Sequence, residues 1–163
     1  MRKGPLFLCL LLPVLSTAQI SFENLLVDTT ITGFHLAADF QGTHVYTPNG
    51  PSDLKSVNPS AFSFTIMREA TREKALEQLG RYRRMSLSQG YEPNDLVEMD
   101  TVIAGLPVFG WSLRETLKGS DYANRVFEAF YVKDSTVVLF ISGDLDRGKH
   151  IEGFRKTFFK SMW

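Results

Sequence analysis

Cysteine is nearly missing: the 163-residue chain has one, Cys9, close to its start. No disulfide framework can be built, so packing must hold the fold together. Charge of one sign is not in excess either, with 18 Lys+Arg against 18 Asp+Glu. That balance offers nothing for a nucleic-acid partner to recognise at whole-chain level. The 12 Gly and 7 Pro form no repeat or low-complexity tract, which excludes collagen-like and long disordered chains. No uncharged apolar run approaches the ~18 residues that a membrane-spanning helix needs. No asparagine begins an Asn-x-Ser/Thr site, since Asn58 is followed by Pro59.

The beginning of the chain is an address. Arg2 and Lys3 precede an apolar run from Leu6 to Leu15, broken by Pro13 and followed by Ser16, Thr17 and Ala18. This is the pattern of a secretory signal peptide over 1–18, cut before Gln19. Cys9 lies inside the run, the wrong place for a lipid-bearing N-terminal cysteine. The reading is therefore a secreted or periplasmic product, 19–163, folded as a single domain.

Within that domain, β-branched and aromatic residues from Ile20 to Thr47 predict two or three strands broken by Gly33 and Gly42. A proline-bearing stretch, Pro48 to Ser60, reads as a long loop. Ala61 to Met67 alternates like a half-buried strand. Thr71 is a candidate N-cap for a helix to Ser88, stopped by Gln89-Gly90, with Ala75, Leu76, Leu79, Tyr82 and Met85 on one side. Glu98 to Ile103 reads as a strand, Gly105-Leu106-Pro107 as a turn, and Trp111 to Leu117 as the next strand. Arg125 to Val132 follows, and Asp134-Ser135 closes a tight hairpin. Val137 to Ile141 is apolar on both faces, which places it centrally with both sides covered. Asp146 is read as the N-cap of a last helix running to Met162, with Ile151, Phe154, Phe158 and Met162 on its stripe. The expected fold is α+β: an antiparallel sheet of about six strands with two amphipathic helices packed on it.

This order, with Gly105 between two strands and a closing Phe158-Phe159-Lys160-Ser161 stretch, resembles the PsbP-like α/β/α sandwich family, including its exported bacterial DcrB-like group. The resemblance covers roughly Phe34 to Trp163, and Thr43 to Ser60 departs from the family's usual early strands. It implies a binding or assembly protein rather than an enzyme.

The residues that carry chemistry are few. Asp144, Asp146 and His150 offer two carboxylates and an imidazole to a metal, the basis of a metal-assisted hydrolase reading; His35, Asp39 and His44 offer a second, weaker set. Their plain roles are a strand-to-helix turn for Asp144, a cap for Asp146 and a first-turn position for His150. No cysteine or Gly-x-Ser-x-Gly elbow provides a nucleophile, so no catalytic residue is assigned. Glu98, Asp100, Glu115 and Glu128 lie on strands and read as a polar sheet face. Gly105 to Gly110 lacks the lysine and the following helix of a phosphate cradle. Arg68, Arg72, Arg81, Arg83 and Arg84 interleave with Glu69, Glu73 and Glu77, the composition of a solvated helix face. Their functional alternative is an anion-facing docking surface for an acidic partner or a lipid headgroup, using Arg72, Arg81 and Arg84; Phe159 and Trp163 offer a second, apolar patch. No cofactor is implied. The expected function is non-enzymatic binding of a protein partner or small ligand, with a carrier of a small apolar ligand between sheet and helix as a further alternative.

Overall fold

The computed structural model describes residues 19–22, 25–56 and 60–163. The signal-peptide reading, 1–18, and positions 57–59 of the proline-bearing loop lie outside the described residues. In chain order the elements are β1 (Gln19–Phe22), β2 (Leu25–Asp28), β3 (His35–Phe40), β4 (Thr43–Thr47), β5 (Ala61–Met67), α1 (Arg72–Ser88), β6 (Tyr91–Ile103), β7 (Leu106–Leu117), β8 (Ala123–Lys133), β9 (Thr136–Asp144) and α2 (Ile151–Lys160). A short 3-10 helix, Gly50–Lys55, occupies the stretch read as a plain loop; Asp53 fastens it by accepting the Asn49 backbone N–H at 2.7 Å.

The class is α+β, but the main sheet has seven strands rather than about six, in the order β3-β4-β5-β9-β8-β7-β6. Every neighbouring pair is antiparallel, and β1 with β2 forms a separate two-stranded ribbon. Before residue 48 four strands stand where two or three were expected, β1 and β2 in the ribbon and β3 and β4 in the main sheet, and the other five strands of the main sheet are the five read after it. Strand β4 is hard to read because its buried positions include His44 and Thr47, polar residues that break the apolar alternation.

Strand β9 sits in the middle, as its two-sided apolar run requires. Val138 and Phe140 point to one core with Phe127, Ala129 and Tyr131 of β8; Val137 and Leu139 point to the other with Val126 and Phe130. Helix α2 closes the first core through Phe154 and Phe158, where rings of Phe34, Phe62, Phe64, Phe127 and Phe140 meet. Helix α1 closes the second through Ala75 and Leu79. The two helices therefore lie on opposite faces of the sheet. At its far end α2 is tied to β2 by the Lys160 ammonium on the Asp28 carboxylate, a bond that holds the Asp28 pKa below its usual value.

Several boundaries move for local reasons. Strand β6 starts at Tyr91, not Glu98, because it is an edge strand. An edge tolerates Pro93, and a bulge between Asn94 and Val97, with Asp95 at φ 54°, re-aims the chain. The next turn is Ala104-Gly105, both at positive φ, so Leu106 and Pro107 already belong to β7. Asp134-Ser135 forms the expected hairpin with φ of 49° and 62°. Gly110 is required by close approach: a Cβ there would meet the Ala129 Cβ and the Glu128 carbonyl oxygen at 2.6 Å. Helix α2 begins at Ile151 with His150 at its cap position, so Asp146 is not the N-cap.

Candidate functional site

Helix α1 begins as its sequence dictates, with Thr71 Oγ1 accepting the Lys74 N–H at 3.4 Å. Only Ala75 and Leu79 of this helix are buried. Beyond Leu79 the sheet beneath it turns polar, because Glu115 and Asn124 are cross-strand partners on the same face as Glu128. Carboxyl and amide groups cannot pack like aliphatic chains, and the second half of α1 faces a cleft of about 260 Å³ instead. Met85 in this half is left half-exposed.

The cleft is lined by Tyr82, Tyr91 and Tyr122, by Glu115 and Glu128, and by Asn124, Ser86 and Ser142 among others. Glu128 is only 8% exposed. Its Oε2 accepts the Trp111 indole N–H at 2.7 Å. Burial pushes its pKa up to about 7; the Trp111 bond opposes the rise, the nearby Glu115 charge adds to it, and Arg83 opposes it. Glu115 accepts the Ser86 hydroxyl at 2.5 Å and the Asn124 side-chain N–H at 3.4 Å. Two buried polar atoms of the lining, Tyr122 Oη and Asn124 Oδ1, have no hydrogen-bond partner. Such atoms are costly unless something fills their valence. Among the described residues no lysine, arginine or histidine lines the cleft.

Glu115 and Glu128 were expected to form an outward polar sheet face. That expectation is corrected: Glu128 is buried beneath α1. The period of two places Glu128 on the same side as Val126 and Phe130, a side the sequence already marks as covered. The signal was a lone carboxylate among apolar neighbours.

The other expected sites are placed as follows. Asp144 is fully buried. Its Oδ1 accepts the Ser60 hydroxyl at 3.2 Å and the Asp146 N–H at 2.9 Å, and its Oδ2 accepts the His150 N–H at 2.5 Å. It is Asp144, not Asp146, that fastens the entry to α2. Asp146 points outward to Lys149 at 3.3 Å, with His150 Nε2 at 3.7 Å. His44 lies 3.3 Å from Asp39, while His35 is exposed on β3. Among the described residues no three His, Asp or Glu side chains are gathered to hold a metal. Asp144→Asn is expected to lower stability by about 1–3 kcal/mol, because an amide N–H would face the His150 N–H. A drop in the urea midpoint that added divalent metal does not alter is the check.

The proposed docking residues are not one surface. Arg72 pairs with Asp100 at 2.8 Å and lies over the Phe109 ring, and Arg81 pairs with Glu77 at 3.8 Å. These and Arg84 belong to α1. Phe159 packs partly buried against Phe127 and Phe158 on the opposite face, and Trp163 beyond it is 81% exposed. Among the described residues no helix is long and apolar enough to cross a membrane.

No family model matches the chain, and no curated protein matches it. Among solved structures, the protein of unknown function PA94 from Pseudomonas aeruginosa aligns over 75% of this chain and 83% of its own, at 16% identity and a TM-score of 0.43.

Proposed function

We propose that the chain is an exported, non-enzymatic binding protein whose ligand is a small organic cation seated in the cleft beneath α1. One observation carries this reading: two carboxyl groups, three tyrosine rings and an unpaired amide oxygen converge there without a basic side chain among them. Ammonium N–H donors would satisfy Asn124 Oδ1 and the glutamates, and tyrosine faces favour a cation. A binding role suits the cleft better than hydrolysis, because Ser86 is paired only with a carboxylate and no imidazole stands by to relay its proton. Export rests on the signal-like 1–18 segment. The sheet held between two helix layers supports the resemblance to the PsbP-like sandwich.

The apolar-carrier alternative has less support, because phenylalanine rings occupy the centre of the space between sheet and α2. The metal-assisted hydrolase has less still, with the Asp144 oxygens committed to Ser60 and two backbone N–H groups.

The test is titration of the full chain with 1,4-diaminobutane by calorimetry. The binding form has Glu128 ionised, so a folded-state pKa of about 7 makes affinity rise with pH. Between about pH 6 and pH 8 the gain should be about tenfold. Glu128→Gln should remove that gain, and Asn124→Ala should weaken binding at both pH values. Absence of saturable binding, or an unchanged pH profile in Glu128→Gln, refutes the reading.

A further inference from the structure

Arginines up to 33 positions apart in the sequence gather at the sheet end where β7, β8 and β9 meet the entry to α2. Arg114 of β7 and Arg125 of β8 are direct cross-strand partners, two like charges side by side on the α2 face. Such a pairing is unfavourable unless something neutralises it. Arg147, in the β9–α2 connection, completes the group: all three line one cavity of about 380 Å³. Arg147 is held at φ 55° and is followed by Gly148 at φ 85°. This turn brings the connection against the Arg125 stem, so close that a Cβ on Gly148 would lie 3.2 Å from the Arg125 Cγ. Arg125 and Arg147 also line an adjoining cavity of about 470 Å³, together with Arg155.

The carboxylates nearby do not answer these charges. Asp144 is the registered partner of Arg125 across β8 and β9, yet its oxygens are committed to Ser60, Asp146 and His150. Among the described residues Asp121 is the one acidic residue lining the first cavity; Asp95 and Glu152 line the second. No ion pair joins any of them to Arg114, Arg125 or Arg147 among the described residues. By contrast, Arg72 and Arg81 on α1 each have a carboxylate partner.

We infer that Arg114, Arg125 and Arg147 form a binding site for a multivalent oxyanion, most simply a phosphate-bearing group. The guanidinium fork matches the oxygens of such a group in pairs, and one ligand would relieve the Arg114–Arg125 repulsion. Tyr122 and Leu145 border both this cavity and the α1 cleft, but none of the three arginines lines that cleft, so the site does not depend on the cation reading. A phosphate group reaches a protein either as a free anion or on a lipid headgroup, and the two sources are separable.

Pyrophosphate titrated into the full chain at low salt should bind saturably at one site. Arg125→Gln and Arg147→Gln should each weaken it at least about tenfold, Arg125→Lys less, and Arg81→Gln on the other face not at all. Arg125→Gln should also leave the thermal midpoint without ligand undiminished while abolishing the rise that pyrophosphate produces in the parent chain. Co-sedimentation with phosphatidylglycerol vesicles, absent with phosphatidylcholine and competed by pyrophosphate, would identify the headgroup as the source; pyrophosphate binding without co-sedimentation would identify the free anion. Weak binding that all variants share equally means an adventitious ion only and overturns the site. So does vesicle binding that Arg125→Gln and Arg147→Gln leave intact.

Discussion

Replacing Glu128 by glutamine should remove a pH-dependent loss of stability of about 3 kcal/mol. The carboxyl has an ordinary value of 4.5 and is pushed up to about 7 in the folded protein. At pH below the ordinary value it is protonated in folded and unfolded chains alike, and its burial carries no ionisation penalty. As the pH rises from there towards the folded value, the unfolded chain releases its proton while the folded one keeps it, so the folded state loses ground. Past the folded value the loss is complete. Glutamine keeps an oxygen for the Trp111 N–H and has no proton to release. The stability difference between Glu128→Gln and the parent chain should therefore grow in favour of the variant between about pH 4 and pH 8, by about 3 kcal/mol in urea unfolding. A difference that stays flat with pH would mean that the carboxyl is solvated and the cleft open to water. The cation reading would then lose its pH-dependent element.

The second large effect is expected at the centre of the sheet. Phe140 has no exposed surface, and its ring meets those of Phe62 at 5.6 Å, Phe64 at 4.9 Å, Phe127 at 5.8 Å and Phe158 at 5.6 Å. Phe140→Ala should cost about 3–5 kcal/mol, since four neighbouring rings held by two strands and a helix cannot all collapse into the space left behind. Against a typical total of about 5–15 kcal/mol for a domain, that is enough to unfold a marginal one. Phe159→Ala, at the rim of the same cluster and partly exposed, should cost far less. Urea midpoints of the two variants, compared at unchanged slope, separate the core from its edge. If the two losses were equal, α2 would be held by its rim rather than by the phenylalanine cluster.

Much of the scaffold was legible from residue order. Val137–Ile141 announced a central strand, because a run apolar on both faces is stable only when both are covered. Thr71 marked the start of α1, and Asp134-Ser135 marked a hairpin whose strands had to be antiparallel neighbours. The resulting α+β class followed. The capping role was harder to read, because Asp144 and Asp146 both precede the helix and either can reach a backbone N–H. Only the path of the connection puts Asp144 inward and Asp146 outward.

The sequence by itself determined which residues share a face, since the period of a strand is set by local backbone geometry. It also determined that the chain had to be held by a core, there being no cysteine pair. Only the tertiary structure decided what covers each face and which distant residues become neighbours. Glu128 and Phe130 obey the same alternation, yet one meets a polar cleft and the other an apolar core, according to which part of α1 lies above. Arg114 and Arg125 are separated along the chain by a turn whose length fixes their register, and only that register sets them opposite each other. Burial and register arise from the packing of whole elements, which no local pattern encodes.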